Sequence, residues 1–254
     1  MIMTYVKRRG ISKLSAVIAV LLGFMTAWQV QGAIALDRTR VIFDGDLKSV
    51  SLNISNQNKQ LPYLAQGWLE DERGNKILSP LTVLPPVQRI EPGKASQVKL
   101  LALSKIAQLP QDRETLYYFN LREIPPKSSK PNTLQIALQT RIKLFYRPAA
   151  IAPQQNAAPW QEKLTLTKIG NTYRVNNPTP YYVTIVDGGV KKGSPGITGF
   201  EPLMLPPKGN GMLNVSSAAL GQTPVLTYVN DYGGRPQLTF TCSGSECHVV
   251  MDKP

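Results

Sequence analysis

Two immunoglobulin-like β-sandwich domains, all-β throughout, are what this sequence predicts, on three observations. Short runs of alternating apolar and polar residues recur along the 254-residue chain, each closed by a turn signal. No amphipathic helical pattern of convincing length interrupts them. One stretch poor in charge and rich in Ala, Gln and Pro, residues 149–159, divides the strand-forming part into halves long enough to bury a core each.

The first residues are set aside as a leader. Lys7, Arg8, Arg9 and Lys13 precede an apolar run over residues 15–28, and Val30-Gln31-Gly32 supplies small residues before a cleavage point at Ala33. The reading is a secretory signal peptide, residues 1–32, with an uncleaved membrane anchor as the weaker reading. The mature chain that follows is exported and stays basic. Its cations are scattered with no run of four, which argues against a dedicated nucleic-acid tail.

Strands are predicted over residues 39–43, 49–55, 63–69, 97–101 and 116–124, separated by turns such as Asp44-Gly45 and Glu91-Pro92-Gly93-Lys94. The run over 81–90 is broken by Pro85-Pro86, which cannot donate to a ladder. One helical turn fits near residues 104–109. The longest strand pattern runs from Leu134 to Arg147, where Leu134, Ile136 and Leu138 alternate with Gln135, Ala137 and Gln139. A Pro- and Lys-rich loop, residues 124–132, precedes it. An apolar-faced strand beside such a loop is either a core strand or an open edge offered to another chain. The first domain is therefore assigned to residues 33–148, the connector to 149–159 and the second domain to 160–254. In the second, strands are expected over 160–167, 172–176, 181–186, 200–205, 211–215, 225–230, 237–242 and 248–251.

Cys242 and Cys247 are the only cysteines, and in an exported chain that spacing reads as a disulfide closing a hairpin. Chemistry finds no foothold in the remaining motifs. His248 sits beside Cys247 in that hairpin, without the geometry of a nucleophilic triad. Glu70-Asp71-Glu72 reads as a solvated turn, not a converging acid and base. Gly188-Gly189-Val190-Lys191-Lys192-Gly193 lacks the following helix of a phosphate cradle and reads as a hairpin tip. No enzyme activity, metal or cofactor is expected.

Arg40 and Lys143 differ from the other cations, because each lies inside an apolar strand. Converging on one cleft, they would clamp a carboxylate, Arg through its planar fork and Lys as a point charge.

Residues 109–126 (LPQDRETLYYFNLREIPP) resemble throughout the signature of the periplasmic pilus chaperones of the chaperone–usher pathway. The likeness extends to residues 36–40, 60–66, 85–89, 177–183 and 230–236 and to the long strand; residues 190–199 match poorly. The resemblance implies two immunoglobulin-like domains at an angle with a cleft between them. It implies donor-strand complementation, in which Leu134, Ile136 and Leu138 plug a groove in a pilus subunit that lacks its last strand. Arg40 and Lys143 would anchor the subunit's C-terminal carboxylate, while Glu114, Arg147 and Asp231 would form interdomain ion pairs. The short loop before the plug places the chain in the short-loop branch of that family. The implied partners are pilus subunits and an outer-membrane usher; the sequence leaves open whether the subunit-free protein caps its edge by self-association. The rival reading is a basic periplasmic module for an acidic polysaccharide or other polyanion. One tension accompanies the resemblance: Lys143 has the opposite parity to the plug residues, so a bulge or twist would have to reverse the face.

Overall fold

Alternation decides which side of each strand meets the core. In the computed structural model, which describes residues 32–251, the first domain is built from ten strands. They are β1 (Ile34–Leu36), β2 (Arg40–Asp44), β3 (Ser49–Asn56), β4 (Tyr63–Glu70), β5 (Lys76–Ile77), β6 (Leu81–Leu84), β7 (Val87–Ile90), β8 (Ala95–Ala102), β9 (Thr115–Ile124) and β10 (Gln139–Arg147). One sheet has the order β1-β3-β8-β6; the other runs β2-β10-β9-β4-β5, with β7 also on β4. Val41, Phe43, Leu52, Ile54, Phe119 and Leu144 fill the space between them. The predicted leader lies, but for Gly32, outside the described residues.

The chain changes sheet where the sequence stops it from pairing. Pro85 and Pro86 separate β6, which pairs β8, from β7, which pairs β4. Residues 37–39 carry the chain from β1 on one sheet to β2 on the other. There β2 runs parallel to β10, with Arg40 opposite Lys143 and Asp44 opposite Arg147.

The strand expected from Leu134 begins at Gln139 instead. Its neighbours explain the difference. Pro125 and Pro126, just past the end of β9, have no N–H to offer, and on the other side β2 covers only Lys143 to Arg147. A period-2 pattern without a partner makes no ladder.

The second domain holds β11 (Thr165–Ile169), β12 (Thr172–Asn176), β13 (Val183–Gly189), β14 (Leu203–Leu205), β15 (Asn210–Met212), a one-turn helix α1 (Ser217–Leu220), β16 (Val225–Val229), β17 (Gln237–Ser243) and β18 (Glu246–Val249). Hydrogen bonds connect them in the order β14-β13-β16-β17-β18-β11-β12-β15. β17 bends the path round: Gln237 to Thr239 pair β16, and Phe240 to Ser243 pair β18. Leu166, Val175, Ile185, Leu226 and Phe240 meet in one core. Trp160 to Lys163, read as strand from sequence, form a 3-10 turn instead. Gly188 and Gly189 lie buried in β13 and not at a hairpin tip. A Cβ on Gly188 would come within 2.9 Å of Leu220, so helix α1 excludes a side chain there. Glu70 likewise belongs to β4 and takes hydrogen bonds from Trp68 and Arg141, leaving only its two neighbours to the turn.

The Cys242–Cys247 disulfide clips β17 to β18, where the two cysteines are register partners. Closing so short a loop stabilises by roughly 2 kcal/mol in the chain-entropy picture.

Arg147, the last residue of β10, joins the two domains. Its Nε donates to Glu114 Oε1 at 2.8 Å, and Nη1 and Nη2 donate to the Asp231 carboxylate at 2.8 and 3.2 Å. Its guanidinium also lies 4.9 Å from the Trp160 ring and 5.1 Å from Tyr181, two rings packed together at 4.4 Å. Glu114 Oε2 accepts the backbone N–H of Tyr182 at 2.7 Å. Burial pushes Glu114 up, to about 7, against the pull of Arg147 and that N–H. A second, exposed pair, Lys208 with Asp112 at 2.8 Å, spans the same boundary and contributes little.

Replacing Arg147 with Ala leaves Glu114 buried without its cation, which costs about 3–5 kcal/mol. Chemical unfolding should show that loss, and small-angle scattering should show a looser domain arrangement. Unchanged stability and shape would contradict the role given to Arg147.

Candidate functional site

Two features set β10 apart from an ordinary core strand: an unfinished edge, and a lysine that stands opposite an arginine of β2 with no carboxylate on either among the described residues. The edge comes first. On the β9 side, β10 is paired without a break from Gln139 to Tyr146. On the other side β2 reaches only to Lys143, so residues 139–142 have no strand there among the described residues. Beyond them the backbone keeps one bond to β9, from Glu123 N–H to Leu138 O at 3.0 Å. Leu134, Ile136 and Leu138 stand 85%, 67% and 43% exposed. Three aliphatic side chains in a row on an unpaired segment are what a completed fold would hide.

Their parity settles the tension met in the sequence. Ile142, Leu144 and Tyr146 point into the domain's own core. Leu134, Ile136 and Leu138 share that parity, and the unbroken register of β10 with β9 leaves no bulge within the strand. Lys143, Phe145 and Arg147 take the other face, toward the second domain. Along this face Arg147 meets Asp231, the Phe145 ring lies 5.5 Å from Tyr182, and Lys143 Nζ donates to Thr184 Oγ1 at 3.0 Å. Within β10 itself no bulge reverses the face.

The cations come from separate strands. Parallel pairing of β2 with β10 sets Arg40 directly opposite Lys143. Arg40 Nη1 donates to Val229 O at 3.2 Å, while its buried Nε has no partner. Neither cation has a carboxylate within salt-bridge distance among the described residues. Burial lowers Lys143 to about 8, with the Arg40 charge adding to the effect. Burial also lowers Arg40, although Asp231 and Glu114 pull the other way. Two like charges brought together, half-buried and unneutralised, make a site for an anion. A cleft of about 1020 Å³ adjoins the site, with Arg40, Asp44, Arg147, Trp160, Asp231 and Tyr232 on its walls. Arg40 lines this cleft and Lys143 does not.

Sequence reasoning placed Arg40, Lys143, Glu114, Arg147 and Asp231 as site residues, and the fold brings the first two together and the last three together. It missed Trp160, Tyr181 and Thr184. Trp160 carried a signal, a lone Trp at the end of the connector; Thr184 carried none, being one Thr in an ordinary apolar strand. Cys247 is tied up in the disulfide and His248 faces solvent on β18.

Comparison with known proteins follows the same lines. The family described as "Pili and flagellar-assembly chaperone, PapD N-terminal domain" matches residues 33–152, and "Pili assembly chaperone PapD, C-terminal domain" matches residues 159–240. The chain is 54% identical to the chaperone protein PapD of Escherichia coli over 222 residues, 87% of this chain and 91% of that one. It is 52% identical to the probable fimbrial chaperone YfcS of Escherichia coli K12 over 238 residues, 94% of each. Among solved structures, the complex of the Salmonella enterica SafA pilin with the SafB chaperone matches with a TM-score of 0.68 at 26% identity, over 84% of this chain and 97% of that one. With both domain families matched in order along one chain, an unfinished sheet edge and an unneutralised cation pair, this protein belongs to the pilus-assembly chaperones of the PapD family.

Proposed function

We propose that this chain is a periplasmic chaperone that binds pilus subunits by lending them a strand, keeps them folded and capped, and delivers them to an outer-membrane usher. Residues 1–32 serve as a cleaved leader for export. The observation that carries the reading is the open side of β10 over residues 139–142, running on into the exposed Leu134, Ile136 and Leu138. A subunit with a missing strand has unpaired backbone groups and an exposed core groove. Residues 134–142 supply both wants: backbone donors and acceptors for the edge, and alternate aliphatic side chains for the groove. Burying those three side chains gives several kcal/mol, on the order of 5, before ordering costs.

Arg40 and Lys143 hold the carboxylate at the subunit's C-terminus. That contact fixes register, since a slip of one residue would turn the plug to the wrong face. It also gives the two cations the anion that the free protein lacks. The work is done by binding, with no bond made or broken.

Two substitutions separate this reading from a basic module for polyanions. Co-expressed with a pilus subunit, wild type should co-purify from periplasm as a one-to-one complex. Ile136→Glu and Lys143→Ala should each reduce subunit recovery at least tenfold. Full recovery with Ile136→Glu, together with loss of binding in moderate salt, would favour the polyanion reading.

The pH dependence follows from Lys143. In the unfolded chain it titrates near 10.5 and in the free fold near 8, so the fold disfavours its charged form. Between those values the unfolded chain holds a proton that the folded chain has given up, and this residue's contribution to stability rises with pH. Carboxylate binding runs the opposite way, because it needs Lys143 charged. Affinity for a subunit should therefore decline as pH rises above about 8, and in Lys143→Ala the weakened affinity should be flat there. A wild-type affinity that is level from pH 7 to 10 would contradict the anchor.

A further inference from the structure

The cation pair belongs to the first domain, but its aim is set by the second. Arg40 and Lys143 are register partners on β2 and β10. The groups that receive their hydrogen bonds, Val229 O and Thr184 Oγ1, belong to residues that are themselves register partners on β16 and β13. Two cross-strand pairs, one from each domain, thus face each other corner to corner. We propose that Thr184 is a positioning residue of the carboxylate anchor, holding the Lys143 ammonium beside Arg40 so that one carboxylate can meet both cations. The proposal rests on the anchor role given to Arg40 and Lys143 above.

Three observations carry it. Thr184 is only 6% exposed, yet it is a hydroxyl in a strand whose neighbours Val183 and Ile185 are core residues. Its Oγ1 has one hydrogen-bond partner, Lys143 Nζ at 3.0 Å, so no backbone group of its own domain needs it. Among these contacts of the outward face of β10, it also stands nearest the open end of the strand, before Phe145 with Tyr182 and Arg147 with Asp231. One residue further out on that face, Arg141 turns away to Glu70 at 2.9 Å. Lysine brings a flexible stem with free rotors, and an ammonium without a fixed acceptor spreads over many positions. A hydroxyl takes one of its three protons and leaves two for an incoming carboxylate.

The arrangement also ties tail binding to the domain angle. Thr184 reaches Lys143 only while the two domains keep the arrangement that Arg147, Glu114 and Asp231 hold. A change in that angle would part the ammonium from the Thr184 hydroxyl and the Arg40 guanidinium from Val229 O together.

The test uses the intact mature protein and one probe, a synthetic ten-residue peptide of alternating apolar and polar residues made as free acid and as C-terminal amide. Wild type should bind the acid at least tenfold more tightly than the amide. Thr184→Val, close to threonine in shape, should lose about five- to twentyfold on the acid and nothing on the amide, and Thr184→Ser should restore the acid's advantage. Acid and amide binding wild type equally would overturn the anchor itself. An undiminished acid advantage in Thr184→Val, with the wild-type ratio intact, would overturn the role of Thr184 alone. Equal losses in Thr184→Ser and Thr184→Val would also overturn it, since packing and not the hydroxyl would then be at work. Should Thr184→Val fail to fold, the lysine side-chain resonances of Thr184→Ser and wild type decide: a common Lys143 titration supports the proposal, and divergent ones contradict it.

Discussion

The parallel pairing of β2 with β10 is the constraint on which the rest depends. Because β2 starts at Arg40, it covers the second half of β10 and leaves the first half bare. The same short strand that sets Arg40 against Lys143 therefore also defines where the open edge begins. The cation pair and the open edge meet at Lys143 on β10. On the proposed function, a guest whose tail ends at the cations would lie in line with the unpaired backbone beyond them.

The second constraint is Arg147, at the far end of the same strand. Its guanidinium is satisfied by two carboxylates and covered by Trp160 and Tyr181, with the 3-10 turn at Trp160–Lys163 closing the connector over it. This is a buried network in which the charges are matched, so removing one member harms the others. The contrast with Arg40 and Lys143 is instructive. All three cations lie on β2 and β10, Arg40 and Lys143 at one end of the pairing and Arg147 at the other, yet one is fully paired and two are without a carboxylate partner among the described residues. The presence of a carboxylate partner separates Arg147 from the two cations to which a binding role is proposed.

Much of this was legible in the sequence, and what was not has physical reasons. A strand such as β3 announces itself by alternation, and Arg40 and Lys143 stand out as charges in apolar runs. That the two are neighbours was not readable from pattern alone, since their pairing joins strands about a hundred residues apart and parallel pairing leaves no turn between them. The alternation over Leu134 to Leu138 read as strand because side-chain pattern reports a face, whereas a strand also needs a partner. Gly188 and Gly189 read as a flexible tip because their tight contacts come from residues such as Phe200 and Leu220, later in the chain. Thr184 and Trp160 gain their meaning only when the domains meet.

Hydrogen exchange at single amides tests the central claim most directly. In the free protein the amides of residues 134–138 should exchange fast, and those of 139–142 that face away from β9 should do the same. In a complex with a pilus subunit these amides should become protected together, while β4 and β8 change little. A stable complex in which residues 134–142 exchange as fast as in the free protein would contradict the account.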